Sequence, residues 1–250
     1  MYHTAGFRKV EILDLCEMIY KEVAVDERTW PPILGLYKSV VVALIYMRRN
    51  RVQAEIAETY EVSQSTISRA VTGMTPLLEK LLRKYVPTAD EFDDQRQYVV
   101  DGTLLPCWSW AGRRELHSGK HKTTGMNVQV VCTLDGELTW ISDPIDGCRH
   151  DTHCLRESGA LPVDAANNWV GDKGYVGNDM ITPYKKPLHR GLLDWEKNYN
   201  TRVNEIRYVI EQVIANFKTW RIMHTDYRRP LSTFATTISA VIALHFYRLS

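Results

Sequence analysis

Three carboxylates that lie far apart along the sequence, Asp101, Asp172 and Glu211, are the residues best suited to chemistry. Asp101 and Asp172 each follow a short apolar run, so we expect both at the carboxyl ends of strands, where the sites of α/β sheets lie. Glu211 shares one polar stripe with Arg207 and Lys218 on a predicted helix that is otherwise mostly apolar, so this stripe is expected to be partly buried. Together the three acids could hold two hard divalent cations, which stabilise the attacking and leaving oxygens in phosphodiester chemistry.

Each acid taken alone has a simpler interpretation. Asp101-Gly102 could form a hairpin turn, as we predict for Asp135-Gly136 between two β-prone runs. Glu211 could form a surface ion pair with Arg207, one helical turn away, which would contribute only about 0.2–0.5 kcal/mol. The convergence of all three acids in space is therefore the hypothesis on which the predicted chemistry depends.

A second group of residues predicts recognition of DNA. Residues 53–72 have the layout of a helix-turn-helix, in which Ile56 and Ala57 face inward, Val62 fills the turn and Ser63 caps the second helix. Glu61 occupies a turn position that glycine often fills, where a left-handed backbone carries modest strain. The alternative interpretation is an ordinary pair of core helices with a polar exterior.

The predicted DNA-contacting residues fall into two sets. Short hydrogen-bonding side chains with one arginine suit the base edges of a major groove, and the outward positions of the second helix carry Gln64, Ser65, Thr66, Ser68 and Arg69. Arginines just upstream suit contacts with the DNA backbone: Arg48, Arg49 and Arg51.

The elements that must position these residues change type along the chain. Residues 1–86 are predicted to be helical, with helices from Val10 to Val25 and from Ile33 to about Arg49. A linker at residues 87–96 contains a proline and a run of acids. From residue 97 to 250 we predict an α/β domain, with strands Gln97 to Val100, Val128 to Thr133, Leu138 to Ile141 and Trp169 to Val170, and helices from about Asn198 to Trp220 and from Leu231 onward.

The composition excludes several classes of protein. The 250 residues are 44% hydrophobic and 24% charged with a net charge of +1, which is typical of globular proteins rather than disordered or histone-like ones. The longest apolar stretch is shorter than the roughly 18 residues of a bilayer span, so we expect a cytoplasmic protein without a membrane partner. A zinc site is not expected, because the spacing is too tight in the cluster Cys148, His150, His153 and Cys154.

The ordered motifs resemble those of a known family. Asp101-Gly102-Thr103, Asp172-Lys173-Gly174-Tyr175 and the helix with Arg207, Glu211 and Lys218 are similar to the D, D, E motif of bacterial insertion-sequence transposases. The resemblance is strongest to insertion sequence family five and the related Harbinger-type nucleases, and it covers most of the chain from about Pro32 onward. One position departs from the family pattern, because Asn204 replaces a tyrosine.

The resemblance implies an RNase H-like catalytic domain preceded by an all-α helix-turn-helix domain. Asp101, Asp172 and Glu211 would hold two Mg²⁺ ions, which Mn²⁺ could replace, while Arg207 and Lys218 would orient Glu211 and neutralise DNA phosphate. The remaining residues that the resemblance singles out are a His-Asp pair near the active site and a basic stretch expected to contact phosphate: His150, Asp151, Lys120, His121 and Lys122.

The predicted activity is that of a DNA transposase, which cuts and rejoins an insertion sequence. Its implied partners are double-stranded DNA, both terminal inverted repeats and target, and a second copy of the chain, in the nucleoid of a bacterial cell. Two alternatives remain open: a domesticated, site-specific DNA-binding protein, and a nuclease without strand transfer. The presence of all three acids favours an active enzyme.

Overall fold

The computed structural model describes residues 2–24, 27–93, 95–108, 112–160 and 168–250, so residue 94 of the predicted linker lies outside it. The chain divides into two compact units, one formed by Met1–Val86 with Lys218–Ser250 and the other by Pro87–Phe217. The range 97–250 is therefore not one unit. Its last segment ends in a helix that is buried over most of its circumference and packs with helices of the first unit.

The described helices are, in chain order, α1 (Tyr2–Ala5), α2 (Lys9–Glu22), α3 (Gly35–Arg49), α4 (Gln53–Tyr60), α5 (Gln64–Leu82), α6 (Asp151–Glu157), α7 (Asp194–Phe217) and α8 (Phe234–Leu249). In the first unit α5 packs against both α3 and α8, and the three helices share an apolar core. In the parts of the chain that the structure describes, no helix has both the length and the apolarity needed to cross a bilayer.

Helices α4 and α5 form the predicted helix-turn-helix. The Ser63 hydroxyl accepts a hydrogen bond from the Thr66 N–H at 3.2 Å, which satisfies one donor of the first turn of α5. Glu61 ends α4 in the left-handed conformation, with φ of 54°. Both predictions about the turn are confirmed, although α5 continues to Leu82, beyond the expected end near residue 72.

The second unit contains a six-stranded sheet with strands β1 (Tyr98–Pro106), β2 (His117–Ser118), β3 (Thr123–Thr133), β4 (Leu138–Ile141), β5 (Ile145–Asp146) and β6 (Trp169–Val170). Strand β1 lies antiparallel to β3 on one side and parallel to β6 on the other. Strands β4 and β5 also pair with β3, and the mixed sheet confirms the predicted α/β class. Asp135-Gly136 forms the predicted hairpin turn between β3 and β4, with Gly136 at φ of 88°.

The predicted position of Asp101 at the end of a strand is wrong. Strand β1 continues to Pro106, and Asp101 lies opposite Val130 in the middle of the β1–β3 ladder. The extension has a physical cause, because β3 is 11 residues long and offers β1 hydrogen-bonding partners along its whole length. The same pairing excludes the hairpin-turn interpretation of Asp101-Gly102.

An aromatic cluster fixes the pairing of the two strands that lead to Asp101 and Asp172. Tyr98 of β1 and Trp169 of β6 are buried neighbours, with ring centroids 5.4 Å apart. Phe92 contacts both rings edge to face, with centroids 5.2 Å from Tyr98 and 5.1 Å from Trp169. Such packing stabilises the parallel pairing of β1 with β6, which sets the relative positions of the residues that follow.

The start of α7 is held by one buried acid. Glu196 accepts hydrogen bonds from both terminal nitrogens of Arg190, at 2.6 and 2.7 Å, and from the Leu193 N–H at 2.7 Å. The hydrogen bonds from Arg190, with that from Leu193, lower the pKa of Glu196 from 4.5 to about 2. The arrangement works as a cap, because it satisfies a backbone donor that the helix leaves unpaired.

Acid should selectively remove the stabilisation that this cap provides. The depressed pKa of Glu196 means that its contribution is fully present above pH 4.5 and is lost as the pH falls toward about 2. Urea unfolding of the wild type and of Glu196→Gln should give different free energies of unfolding near neutral pH and nearly equal ones at about pH 2.

Glu205→Gln is the matched control on the same helix, since Glu205 pairs with Arg202 at the exposed surface. Its effect should stay below about 1 kcal/mol. An unchanged gap between wild type and Glu196→Gln at both pH values would contradict this role of Glu196.

Candidate active site and DNA-binding surface

Asp101 within β1 and Asp172 just after β6 occupy equivalent positions relative to the pairing of these two parallel strands. Val99 of β1 pairs with Val170 of β6, and each acid lies two residues beyond its valine. Asp172 begins a 3-10 turn, where its carboxylate accepts a hydrogen bond from the Gly174 N–H at 2.6 Å. Two carboxylates that are distant in sequence are thus brought to one region of the sheet.

Asp151 is a third carboxylate at this region, and it lies at the first turn of α6. A Cβ atom added at Gly102 would come within 2.5 Å of Asp151 Oδ1, and one added at Gly174 within 3.2 Å of Asp151 Oδ2. The same atom at Gly174 would lie 2.7 Å from Asp172 Oδ1. The glycines of the two motifs therefore leave room for carboxylates to approach one another.

The crowding of these acids changes their electrostatics. Burial raises the pKa of Asp101 to about 6, with the carboxylates of Asp172 and Asp151 adding to the rise and Arg207 opposing it. Arg207 Nη2 lies 3.0 Å from Asp101 Oδ2, and the two side chains are only 13% and 17% exposed. Lys120 Nζ lies 2.8 Å from Asp151 Oδ2. These two cations supply charge that the buried carboxylates require.

A chain of buried hydrogen bonds leads from Tyr175 to Asp151 and holds the Asp151 carboxylate in place. The Tyr175 hydroxyl donates to Gln129 Oε1 at 2.6 Å, the Gln129 amide donates to Asn127 Oδ1 at 2.9 Å, and the Asn127 amide donates to Asp151 Oδ1 at 3.3 Å. No role was assigned to Asn127 or Gln129 in the sequence analysis. Their role could have been inferred from the sequence, in which two amides alternate with valines along a buried strand, because buried polar side chains require partners.

Helix α7 is amphipathic, so the prediction that it is buried around most of its circumference is wrong. Ile206 is 43% exposed and Tyr208 is 60% exposed, whereas Arg207 turns inward to Asp101. Glu211 follows one turn later and is exposed. It is not among the strongest charges acting on Asp101, which come from Arg207, Asp172, Asp151 and Lys120. The expected partial burial of the polar stripe therefore holds for Arg207 and not for Glu211.

The remaining predicted residues of the site differ in burial and in contacts. Lys218 follows the last residue of α7 and belongs to the first unit, and burial lowers its pKa. His150 is exposed at the start of α6, and His121 and Lys122 are exposed in the turn before β3. Lys120 pairs with Asp151, and its role as a phosphate contact stays a prediction.

The surface of α5 carries most of the predicted base-contacting residues. Gln64, Ser65 and Arg69 are exposed and Ser68 is partly exposed. Thr66 is only 5% exposed and its hydroxyl lies 2.9 Å from Ser63 Oγ, so its predicted outward position is wrong. The reason is geometric, because Thr66 lies within about 40° of the buried Ala70 on the helical wheel.

The three upstream arginines do not share one role. Arg48 Nη1 donates to Thr219 Oγ1 at 2.6 Å and its guanidinium lies over the Trp220 ring, so Arg48 serves the fold rather than a free surface for DNA backbone. Arg51 is exposed and Arg49 partly exposed, as the prediction requires.

The chemistry of the donors at the aspartate cluster fits a divalent cation. Carboxylate oxygens are the ligands that Mg²⁺ prefers, and a cation among them would oppose both burial and the neighbouring carboxylates, which raise the pKa of Asp101. In the described conformation Arg207 and Lys120 supply this charge. Among the described residues, no group of three or more His, Cys, Asp or Glu side chains is arranged as a ligand set, and this holds for the cysteine and histidine cluster near residue 150 as well.

Comparison with known protein families agrees with the two-part organisation. The family model described as DDE superfamily endonuclease matches residues 100–245. The family model described as helix-turn-helix of DDE superfamily endonuclease matches residues 34–84, which include α4 and α5.

Curated relatives are similar over most of their length. A protein of Streptomyces albus G named as a transposase for insertion sequence element IS112 is 28% identical over 198 residues, or 78% of this chain and 73% of the relative. A protein of Microchaete diplosiphon named as a transposase for insertion sequence element IS702 is 24% identical over 229 residues, or 88% and 83% of the two chains. The search of solved structures found no significant match.

Gly102→Ala should disrupt the packing around Asp151. The added methyl group would lie 2.5 Å from Asp151 Oδ1 and 2.9 Å from Gln129 Nε2, and both groups are held by buried hydrogen bonds. We expect urea unfolding to give a free energy about 1–3 kcal/mol lower than that of the wild type. Gly119→Ala is the control, because a Cβ there meets nothing within 4 Å; equal stability of the two variants would refute the close approach.

Proposed function

The chain belongs to the DDE superfamily endonucleases, and from this membership we propose that it is the transposase of an insertion sequence. It would bind the ends of the element, cut the DNA there and join the freed strands to target DNA. The names of both relatives support this proposal. The finer placement within insertion sequence family five, near the Harbinger-type nucleases, is part of the proposal and rests on the motif spacing.

One observation supports the chemistry more than any other: Asp101 and Asp172 each lie two residues beyond the paired valines of the adjacent parallel strands β1 and β6, and their charges interact. A structural ion pair would place a carboxylate beside a cation, but here several carboxylates share two cations. Like charges gathered in a partly buried region are costly to stability and are common where a protein binds metal.

Asp101 and Asp172, with Glu211 as the third acid, would hold two Mg²⁺ ions. When bound, the ions supply a nucleophilic oxygen of lowered pKa and positive charge for the leaving oxygen of the phosphodiester. Arg207 fixes the position of the Asp101 carboxylate through its 3.0 Å contact. Lys120 and the Asn127 amide fix Asp151 beside it.

The proposed substrates are double-stranded terminal inverted repeats and target DNA. The exposed face of α5 would read base edges in the major groove, and two copies of the chain would bring the two ends together. A protein that cuts and joins chromosomal DNA would be located in the bacterial nucleoid.

Asp101→Asn and Asp172→Asn should each abolish Mg²⁺-dependent nicking of a plasmid that carries the element's ends, with a loss of more than about 1,000-fold. Binding to the same DNA in a gel-shift assay should persist, because the change is remote from α5 in sequence and adds no bulk. Asp90→Asn, at an exposed acid, is the control and should nick normally. Undiminished nicking by Asp101→Asn or Asp172→Asn would reject the assignment of these two acids as metal ligands. A separate assay for joined products on a target plasmid distinguishes a transposase from a simple nuclease.

Glu211→Gln tests the third acid separately. We expect a loss of nicking comparable to that of Asp172→Asn, while Glu205→Gln on the same helix should retain activity, since Glu205 is exposed and paired with Arg202. Full activity of Glu211→Gln together with inactivity of Asp151→Asn would instead assign the third ligand to Asp151.

A further inference from the structure

Two arginines far from the helix-turn-helix in sequence lie beside its second helix in the first unit. Arg229 Nη2 donates to Thr72 Oγ1 of α5 at 2.8 Å. Arg228 Nη2 donates to the carbonyl oxygen of Asn50, which ends α3, at 2.8 Å. Neither arginine belongs to the range that the helix-turn-helix family model matches.

The segment that carries these arginines is firmly anchored. The Asn50 amide donates to Thr225 Oγ1 at 2.6 Å and to the Asp226 carbonyl oxygen at 3.3 Å. Tyr227 is fully buried, and its ring stacks on Phe234 with centroids 4.5 Å apart. The backbone on which Arg228 and Arg229 lie is therefore fixed, while Arg228 is exposed and Arg229 partly exposed.

The arginines line a groove of about 530 Å³ together with the outward face of α5. Gln64, Ser68 and Thr72 are spaced four residues apart and form one stripe of the helix along this groove. Its cations are Arg51, Arg228 and Arg229, and the part of the lining that the structure describes contains no Asp or Glu. A whole chain with a net charge of only +1 thus concentrates three arginines beside its predicted base-contacting residues.

We propose that Arg228 and Arg229, with Arg51, form a phosphate-binding rim that holds the sugar–phosphate backbone of the duplex that α5 contacts. Planar guanidinium groups bind phosphate oxygens in pairs of hydrogen bonds, and such contacts give affinity and register without sequence information. The rim would also supply the DNA-backbone contact that was predicted for Arg48, whose guanidinium instead contacts Thr219 and Trp220. This inference rests on the proposed function, because it assumes that α5 binds duplex DNA.

The test measures binding of the full-length protein to a fluorescent duplex of about 30 base pairs of mixed sequence over a range of salt concentrations, since phosphate contacts are independent of sequence. Arg228→Ala/Arg229→Ala should weaken binding on the order of tenfold and reduce the slope of log Kd against log salt by about 2. Arg221→Ala removes an exposed arginine of the same unit outside the groove and should change neither quantity.

Two further variants separate a DNA contact from a structural role. Arg228→Lys/Arg229→Lys keeps the charge and should restore most of the salt slope, which a purely structural loss would not explain. Arg228→Ala alone leaves the Arg229–Thr72 contact in place and should reduce the slope by about 1.

The outcomes distinguish the two proposals. If Arg228→Ala/Arg229→Ala binds like Arg221→Ala while Arg69→Ala weakens binding, the phosphate rim is rejected and DNA recognition by α5 stands. If the wild type binds no duplex of any sequence, the proposed function and the rim are rejected together. A reduced affinity and a reduced salt slope in the double alanine variant, with the slope restored by lysine, support the rim.

Discussion

The gathering of three carboxylates in one partly buried region of the sheet is the constraint on which the second unit depends. Asp101, Asp151 and Asp172 lie together there, and burial raises the pKa of Asp101 to about 6, with the two neighbouring carboxylates adding to the rise. Arg207 from α7 and Lys120 from the turn before β3 supply opposing charge. The cluster is thus assembled from one strand, two helices and two turns, and each contributes either an acid or its counter-charge. A site of this kind is suited to hold additional cations rather than to stabilise the fold.

Much of this organisation was predictable from sequence because it depends on local pattern. The cap at Ser63 and the hairpin at Gly136 follow from the conformational preferences of single residues and their immediate neighbours. The two strand acids were found through the apolar runs before them. These features require no knowledge of which elements pack together.

Apart from Thr66, whose burial follows from its position on the helical wheel of α5, the errors involve partners distant in sequence. Asp101 lies mid-strand because β3 is long enough to pair beyond it, and no local pattern around Asp101 reports the length of β3. The hydrogen bonds that hold Asp151 come from Asn127 and Lys120, which lie 24 and 31 residues away. Arg48 was predicted to contact DNA, yet Thr219, which is 171 residues further along, takes its guanidinium. Tertiary contacts therefore decided which charged residues remain available for a ligand.

The most direct test of the central claim is a titration of the metal-free protein with Mn²⁺, followed by electron paramagnetic resonance of the free ion. The account predicts that the wild type binds Mn²⁺, that Mg²⁺ competes for the same sites, and that the double variant Asp101→Asn/Asp172→Asn loses this binding while remaining folded. Equal Mn²⁺ binding by the wild type and the folded double variant would show that the crowded aspartates do not hold metal.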